Sequence, residues 1–243
     1  MSPAAPTVTC RHLSVPKHDG ESVSEDAAAV RTDAWPLRAA VADGATESAF
    51  AARWADMLVQ GMVGHESTVE ALAAALPDWQ ARWRDEVEAQ VQSAPWYVQA
   101  KAADGAFATL LGLELSREGR WRAVTVGDGG LFQLRDDAVH EVWPTADPDA
   151  FTNRPALLPS RPTRPVPTPQ TTTGTWAPDD AFLLVTDAVA AWLLRTDPLQ
   201  AREWTADSFR EAVHAARADG TLRTDDATLL ILEIEETTDG RAP

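Results

Sequence analysis

Cysteine is nearly absent: Cys10 is the single one in 243 residues. An internal disulfide is therefore impossible, and no Cys/His array exists for a structural zinc ion. Lysine is almost as scarce, with only Lys17 and Lys101 beside the arginines. No apolar run approaches the roughly 20 residues needed to cross a bilayer. The opening MSPAAPTVTCRH has neither the basic segment nor the apolar stretch of a secretory leader. These absences predict a cytoplasmic protein with an unstapled core and no membrane association. The preference for arginine, together with abundant alanine, points to a GC-rich bacterial genome.

Basic charge is also short. Lys and Arg number 21 against 37 Asp and Glu, a formal charge of −16, which argues against a nucleic-acid reader or a binder of anionic lipid. Glycine (13) and proline (17) are too few and too unevenly placed for a collagenous or disordered chain. At about 150 residues per domain the length fits one large domain or one with an insertion, here read as a single domain over 1–243. Nine of the 17 prolines fall between Pro144 and Pro178, which predicts a surface loop or flap there.

Strands are expected at Thr7–Val15, Ala27–Thr32 and Leu37–Ala42, each short, apolar and bounded by Gly, Asp or Pro. Phe50, Trp54, Met57, Leu58 and Met62 then recur at helical spacing, with Ser48 as the expected N-cap. A second helix runs from Thr68 to Gln92 with a break expected at Pro77, and a third covers Trp96–Asp104. Phe107–Ser116, Trp121–Val126, Leu131–Arg135 and Val139–Val142 read as consecutive antiparallel strands joined by Gly- and Asp-rich turns. Strand Ala181–Thr186, helices Ala188–Leu194 and Asp207–Ala218, and strand Ala227–Glu235 complete an α+β pattern of antiparallel sheets with helices outside. The tryptophans at helical spacing, Trp54, Trp79, Trp83 and Trp192, read as core, and the histidines show no metal-ligand spacing.

The chain has no phosphate-loop, dinucleotide-binding, HExxH or GxSxG motif. What it has is acidic residues where apolar strands stop or start: Glu25-Asp26 before AAAV, Asp43-Gly44 after LRAAVA, Asp128 after AVTVG, Asp187 after AFLLVT, and Asp225-Asp226 before ATLLILEIE. Taken singly, each Asp-Gly is a turn signal, and the chain contains six of them. Strand ends are also where a rigid sheet can aim side chains into one cleft.

As an ordered series these segments resemble the metal-dependent protein phosphatases of the type 2C family. SVPKHDGESVSEDAAAV is similar to the family's N-terminal Asn-Glu-Asp segment, and VADGATES to its Asp-Gly motif. GAFATLLGLEL and VTVGDGGLFQL resemble the Gly/Thr strand and the Gly-Asp-Ser-Arg hairpin. LLVTDAVAAWLL resembles the Ser-Asp-Gly segment, and TDDATLLILEI the closing Asp-Asp or Asp-Asn strand. The resemblance implies a four-layer α-β-β-α sandwich, two antiparallel sheets flanked by helices, with a two-metal site at one end. It further implies that Asp43 bridges both metals, that Glu25 and the Gly44 carbonyl serve one, that Asp187 and Asp225 serve the other, and that Asp128 attends a third, looser ion. Hard oxygen ligands favour Mg²⁺ or Mn²⁺. A water bridging the two cations would attack the phosphorus of phosphoserine or phosphothreonine in line.

Departures from the family pattern also stand in the sequence. Glu21 replaces an arginine that anchors phosphate in many members, leaving Lys17 as the candidate anchor or as an ordinary loop lysine. Ala45 stands where some members have a proton-donating histidine, Ala188 where glycine is usual, and Gly129-Gly130 where Ser-Arg is usual. Expected partners are a phosphorylated protein and a cognate serine/threonine kinase. Two alternatives stay open: a catalytically silent module that binds a phosphoprotein or regulates a kinase, and a phosphatase of small metabolites. Arg154, Arg161 and Arg164 make the proline-rich stretch locally basic, either to recruit a phosphopeptide or, as favoured here, simply to pair with the acidic body.

Overall fold

The computed structural model describes residues 6–18, 24–45, 48, 50–92, 95–151 and 154–235. In chain order the elements are β1 (Thr7–Val15), β2 (Asp26–Arg31), β3 (Leu37–Asp43), α1 (Ala51–Val63), α2 (Val69–Val91), α3 (Trp96–Asp104), β4 (Phe107–Ala108), β5 (Leu110–Ser116), β6 (Arg120–Val126), β7 (Gly130–Arg135) and β8 (Ala138–Trp143). There follow β9 (Leu158–Pro159), β10 (Gln170–Thr175), β11 (Ala181–Val185), α4 (Asp187–Arg195), α5 (Ala206–Asp219) and β12 (Ala227–Glu235). Two antiparallel five-stranded sheets result, ordered β1-β12-β11-β7-β8 and β10-β6-β5-β3-β2, with β4 and β9 as a small separate ribbon.

Period-two alternation sorts side chains between layers. In β11, Phe182 and Leu184 face the other sheet and pack with Leu113, Val41 and Leu230, while Leu183 and Val185 face outward onto Val189, Trp192, Phe209 and Val213 of α4 and α5. On the far side, Trp54, Leu58, Met62, Trp79 and Trp83 of α1 and α2 cover Ala40, Ala42, Leu110 and Val124. The α-β-β-α sandwich expected from the sequence is therefore the observed architecture, and the four tryptophans read as core are all buried.

Local differences from the expectation have physical causes. Helix α1 is entered through Phe50 in the left-handed region (φ 63°), not capped by Ser48. The Ser48 hydroxyl instead donates to the Ala45 carbonyl and accepts from the Phe107 amide. Pro77 does not break α2, whose N-cap is Thr68. The ring denies a hydrogen bond to the Ala73 carbonyl, but both residues are exposed, so water can take its place. The expected strand Phe107–Ser116 is split at Thr109, whose amide and hydroxyl both bind the backbone of Asp43, at 2.8 and 3.0 Å. β6 and β7 are not a hairpin: they lie in opposite sheets, and Gly127 (φ 107°) turns the chain between them. A Cβ at Gly127 would sit 2.6 Å from the Thr109 methyl. Nor is 144–178 one loop. It contains β9 and the sheet-edge strand β10, which avoids proline internally and pairs with β6. Within it, Arg161 stacks on Trp83 and donates to the Ala102 carbonyl, and Arg164 pairs with Asp104.

Candidate active site

Strand register brings the acids together. Asp26 opens β2 directly opposite Asp43, the last residue of β3. In the other sheet Val185, the last residue of β11, pairs with Gly130 at the start of β7 and with Leu229 near the start of β12. Asp187 therefore follows β11 at the same end where Asp128 precedes β7 and Asp225-Asp226 precede β12. Two polar ties lock the sheet ends together. Thr186 donates to Asp26 Oδ2 at 2.9 Å. Asp226 accepts the backbone amides of Lys17 and Glu25 on its two oxygens, at 2.8 and 2.7 Å, which pins both sides of the segment joining β1 to β2.

The electrostatics are those of crowded, desolvated like charges. Burial, with repulsion from Asp26, Asp187, Asp225 and Asp128, holds Asp43 well above the usual carboxylate range. Burial also pushes Asp26 to about 8, with Asp226 and Asp187 adding to it while hydrogen bonds from Thr228 and Thr186 oppose. Asp128 is pushed to about 7 by burial and the Asp187 charge. Asp187 is raised by burial, an effect partly offset by Arg223.

The cluster gathers the residues the sequence singled out, with two additions of chemical weight. Asp26 and Asp226 are second members of acidic pairs whose first members, Glu25 and Asp225, are the ligands that the family resemblance implies. The signal for Asp26 was its place as the opening residue of the strand, facing the strand that Asp43 closes. Arg223, which no sequence motif marks, contacts Asp187 Oδ2 and lies 3.3 Å from Asp225 Oδ2. Lys17 is not a free loop lysine: its ammonium is 3.0 Å from Glu25 Oε2. Burial opposes the Lys17 charge, but the hydrogen bond to Glu25 and the charges of Glu25, Asp226 and Asp225 outweigh it and raise its pKa. Gly44 packs so closely that a Cβ would lie 2.8 Å from the Glu25 carbonyl oxygen. Glu21 lies outside the described residues.

Among the described residues no three His, Cys, Asp or Glu side chains are drawn close enough together to grip an ion. The acids are instead shared among resident cations, Glu25 with Lys17, and Asp187 and Asp225 with Arg223. The donor set nevertheless suits hard divalent ions. Both Asp128 oxygens are shut off from water with no hydrogen-bond partner among the described residues, a costly arrangement for a carboxylate unless a cation answers it. Every candidate ligand is oxygen. Cys10, half-buried on β1, is raised by burial, the opposite of an activated thiolate. Among the described residues no helix is long and apolar enough to cross a membrane.

Solved structures with the same fold include bacterial serine/threonine phosphatases of low identity. The serine/threonine phosphatase Stp1 of Staphylococcus aureus shares 13% identity over 97% of this chain and 98% of its own, with a TM-score of 0.64. The catalytic domain of the serine/threonine protein phosphatase PstP, solved with two manganese ions, shares 18% over 94% and 98% (TM-score 0.55). PppA, a regulatory component of the T6SS in Pseudomonas aeruginosa, shares 19% over 95% and 99% (TM-score 0.56). At these identities the likeness establishes the fold. A comparison with curated protein sequences finds no match. The sequence profile of the family described as protein phosphatase 2C matches residues 17–229, a span that takes in the whole acidic series from Glu25 to Asp225, and the chain belongs to that family.

Proposed function

We propose that this single domain hydrolyses phosphoserine or phosphothreonine esters on proteins with Mg²⁺ or Mn²⁺ as cofactor. The observation that carries the reading is the convergence of Asp43, Asp128, Asp187 and Asp225 at one end of the sandwich, with both Asp128 side-chain oxygens buried. Family membership and the manganese-bound fold neighbour support it. In this reading Asp43 would be shared by two ions, Glu25 and the Gly44 carbonyl would serve one, Asp187 and Asp225 the other, and Asp128 a third. Bound there, the ions would lower the pKa of water and offset the charge of the phosphoryl oxygens.

The chain's own groups supply position. Asp43 is held by Thr109, whose amide donates to the Asp43 carbonyl and whose hydroxyl accepts from the Asp43 amide. Asp226 fixes Lys17 and Glu25 through their amides, so that the Lys17 ammonium can exchange Glu25 for a phosphoryl oxygen and serve as the anchor. No covalent phosphoenzyme is invoked: burial raises the pKa of Cys10 and so disfavours its thiolate. A bacterial cytoplasmic setting, a phosphoprotein substrate and an opposing serine/threonine kinase complete the proposal.

The test is turnover of p-nitrophenyl phosphate and of a phosphothreonine peptide with Mn²⁺ and with EDTA. Activity that needs the metal and is lost in Asp43→Asn supports the reading; full activity in EDTA, or an unaffected Asp43→Asn, overturns it. The engagement of Lys17 and Arg223 with the acids favours one second reading, a silent module that binds a phosphoprotein. Calorimetry separates the two, since tight phosphopeptide binding without turnover at saturating Mn²⁺ selects the module.

A further inference from the structure

The proposed ion positions are already touched by cations of the chain itself, and the one at Asp187 and Asp225 is peculiar. A single guanidinium nitrogen, Arg223 Nη2, faces both carboxylates that would serve the second ion. Asp187 is almost wholly buried, its side chain 6% exposed, whereas Arg223 is 37% exposed. The acid is thus fixed and the base stands at the rim. A guanidinium cannot leave by losing its proton, so it leaves only by rotating away.

The backbone around it is built to stay put while that happens. Arg217 donates to the Asp225 carbonyl at 2.5 Å and to the carbonyls of Pro16 and Val15. Leu222 is buried and its amide bonds the Ala216 carbonyl. Asp225 therefore keeps its place whether or not Arg223 is docked. The Arg223 guanidinium sits at Oδ2 of both Asp187 and Asp225, so a divalent ion drawn to the same two acids meets a resident positive charge that it has to displace or repel.

We propose that Arg223 is an intramolecular counter-ion that competes with a divalent cation for Asp187 and Asp225, and thereby sets the metal concentration at which the site fills. This rests on the reading of those two acids as metal ligands. Apparent affinity is the intrinsic affinity reduced by the fraction of molecules in which the guanidinium is undocked. Charge-assisted hydrogen bonds of this kind reduce it by about tenfold or more. Without metal, the same contact relieves repulsion among the acids. Arg223 therefore supports the fold in the metal-free protein and becomes dispensable once the site is loaded.

The experiment is calorimetric titration of Mn²⁺ into the EDTA-treated, dialysed full chain, paired with melting curves in EDTA and in saturating Mn²⁺. Arg223→Ala is the main variant. Arg223→Lys keeps the charge without the fork, and Arg195→Ala removes an equal charge from the far end of α4. The expected result is that Arg223→Ala binds one Mn²⁺ about tenfold tighter, Arg223→Lys falls between it and the parent, and Arg195→Ala matches the parent. Arg223→Ala should also melt lower in EDTA but level with the parent in Mn²⁺. Unchanged or weaker Mn²⁺ binding in both Arg223 variants, with the parent binding normally, overturns the role of Arg223 alone, as does equal destabilisation with and without metal. If no protein in the set takes up Mn²⁺, the metal reading and this inference fall together.

Discussion

A buried acid stands at each end of β11, and the two are treated oppositely. Asp180, just before the strand, accepts Arg135 Nε and Nη2 and Gln133 Nε2, each at 2.7 Å, and the Ala177 amide at 2.9 Å. Burial pushes its pKa up, but those hydrogen bonds from Arg135, Ala177 and Gln133 bring it below the usual value. Asp187, just after the strand, is raised by burial, with Arg223 only partly answering it and with Asp225 repelling it. One end is a closed structural joint. The other is left short of positive charge among neighbours of its own sign, as the proposed cation site requires.

The contrast can be broken at either end. The largest expected effect is at the crowded end: Asp43→Asn lowers kcat by about 10³-fold in the Mn²⁺-dependent phosphatase assay. In EDTA the same variant melts no lower than the parent, because the amide avoids the charge that burial and the acidic neighbours penalise. At the closed end, Asp180→Ala costs about 3 kcal/mol in urea unfolding, since Arg135 and Gln133 lose a shared acceptor, while Mn²⁺ uptake stays that of the parent. A pH series sharpens the comparison further. Asp26 (about 8) and Asp128 (about 7) keep protons in the fold that the unfolded chain, at about 3.9, has already released. Between about pH 4 and 8 unfolding therefore releases protons, and the metal-free protein loses stability as pH rises. Melting in EDTA should drop by several degrees from pH 5 to 8, and saturating Mn²⁺ should flatten that slope. The smallest effect is expected at the exposed Arg195–Asp149 pair, 44% and 83% exposed. There Arg195→Ala shifts urea stability by no more than about 0.5 kcal/mol.

The apolar half of the molecule was the legible half. AFLLV and ATLLILEI could be placed as central strands because burial on both faces leaves continuous apolar runs, and the stripe from Trp54 to Val87 marked the helices that cover the second sheet. The corner between β6 and β7 was not legible, because Gly127-Asp128-Gly129 reads the same whether it closes a hairpin or crosses between sheets. β10, QTTTGT, hid among prolines because an edge strand needs no apolar face. At the site, strand ends pointed to Asp43, Asp128 and Asp187. Choosing between Asp26 and Glu25, or between Asp225 and Asp226, depends on which way each side chain leaves the strand, and that is fixed by pairing with Asp43 and with the Lys17 segment. Arg223 was invisible for the same reason: its partners lie up to 36 residues away.

The crowded end of the sandwich is proposed as a divalent-cation site made of acids from both sheets. The most direct measurement is anomalous diffraction at the manganese edge from crystals soaked in Mn²⁺. Peaks are expected between Asp43 and the acids around it, with the Arg223 guanidinium withdrawn from Asp187. Crystals that take up Mn²⁺ elsewhere, or that show Arg223 still docked and no peak beside Asp43, would contradict it.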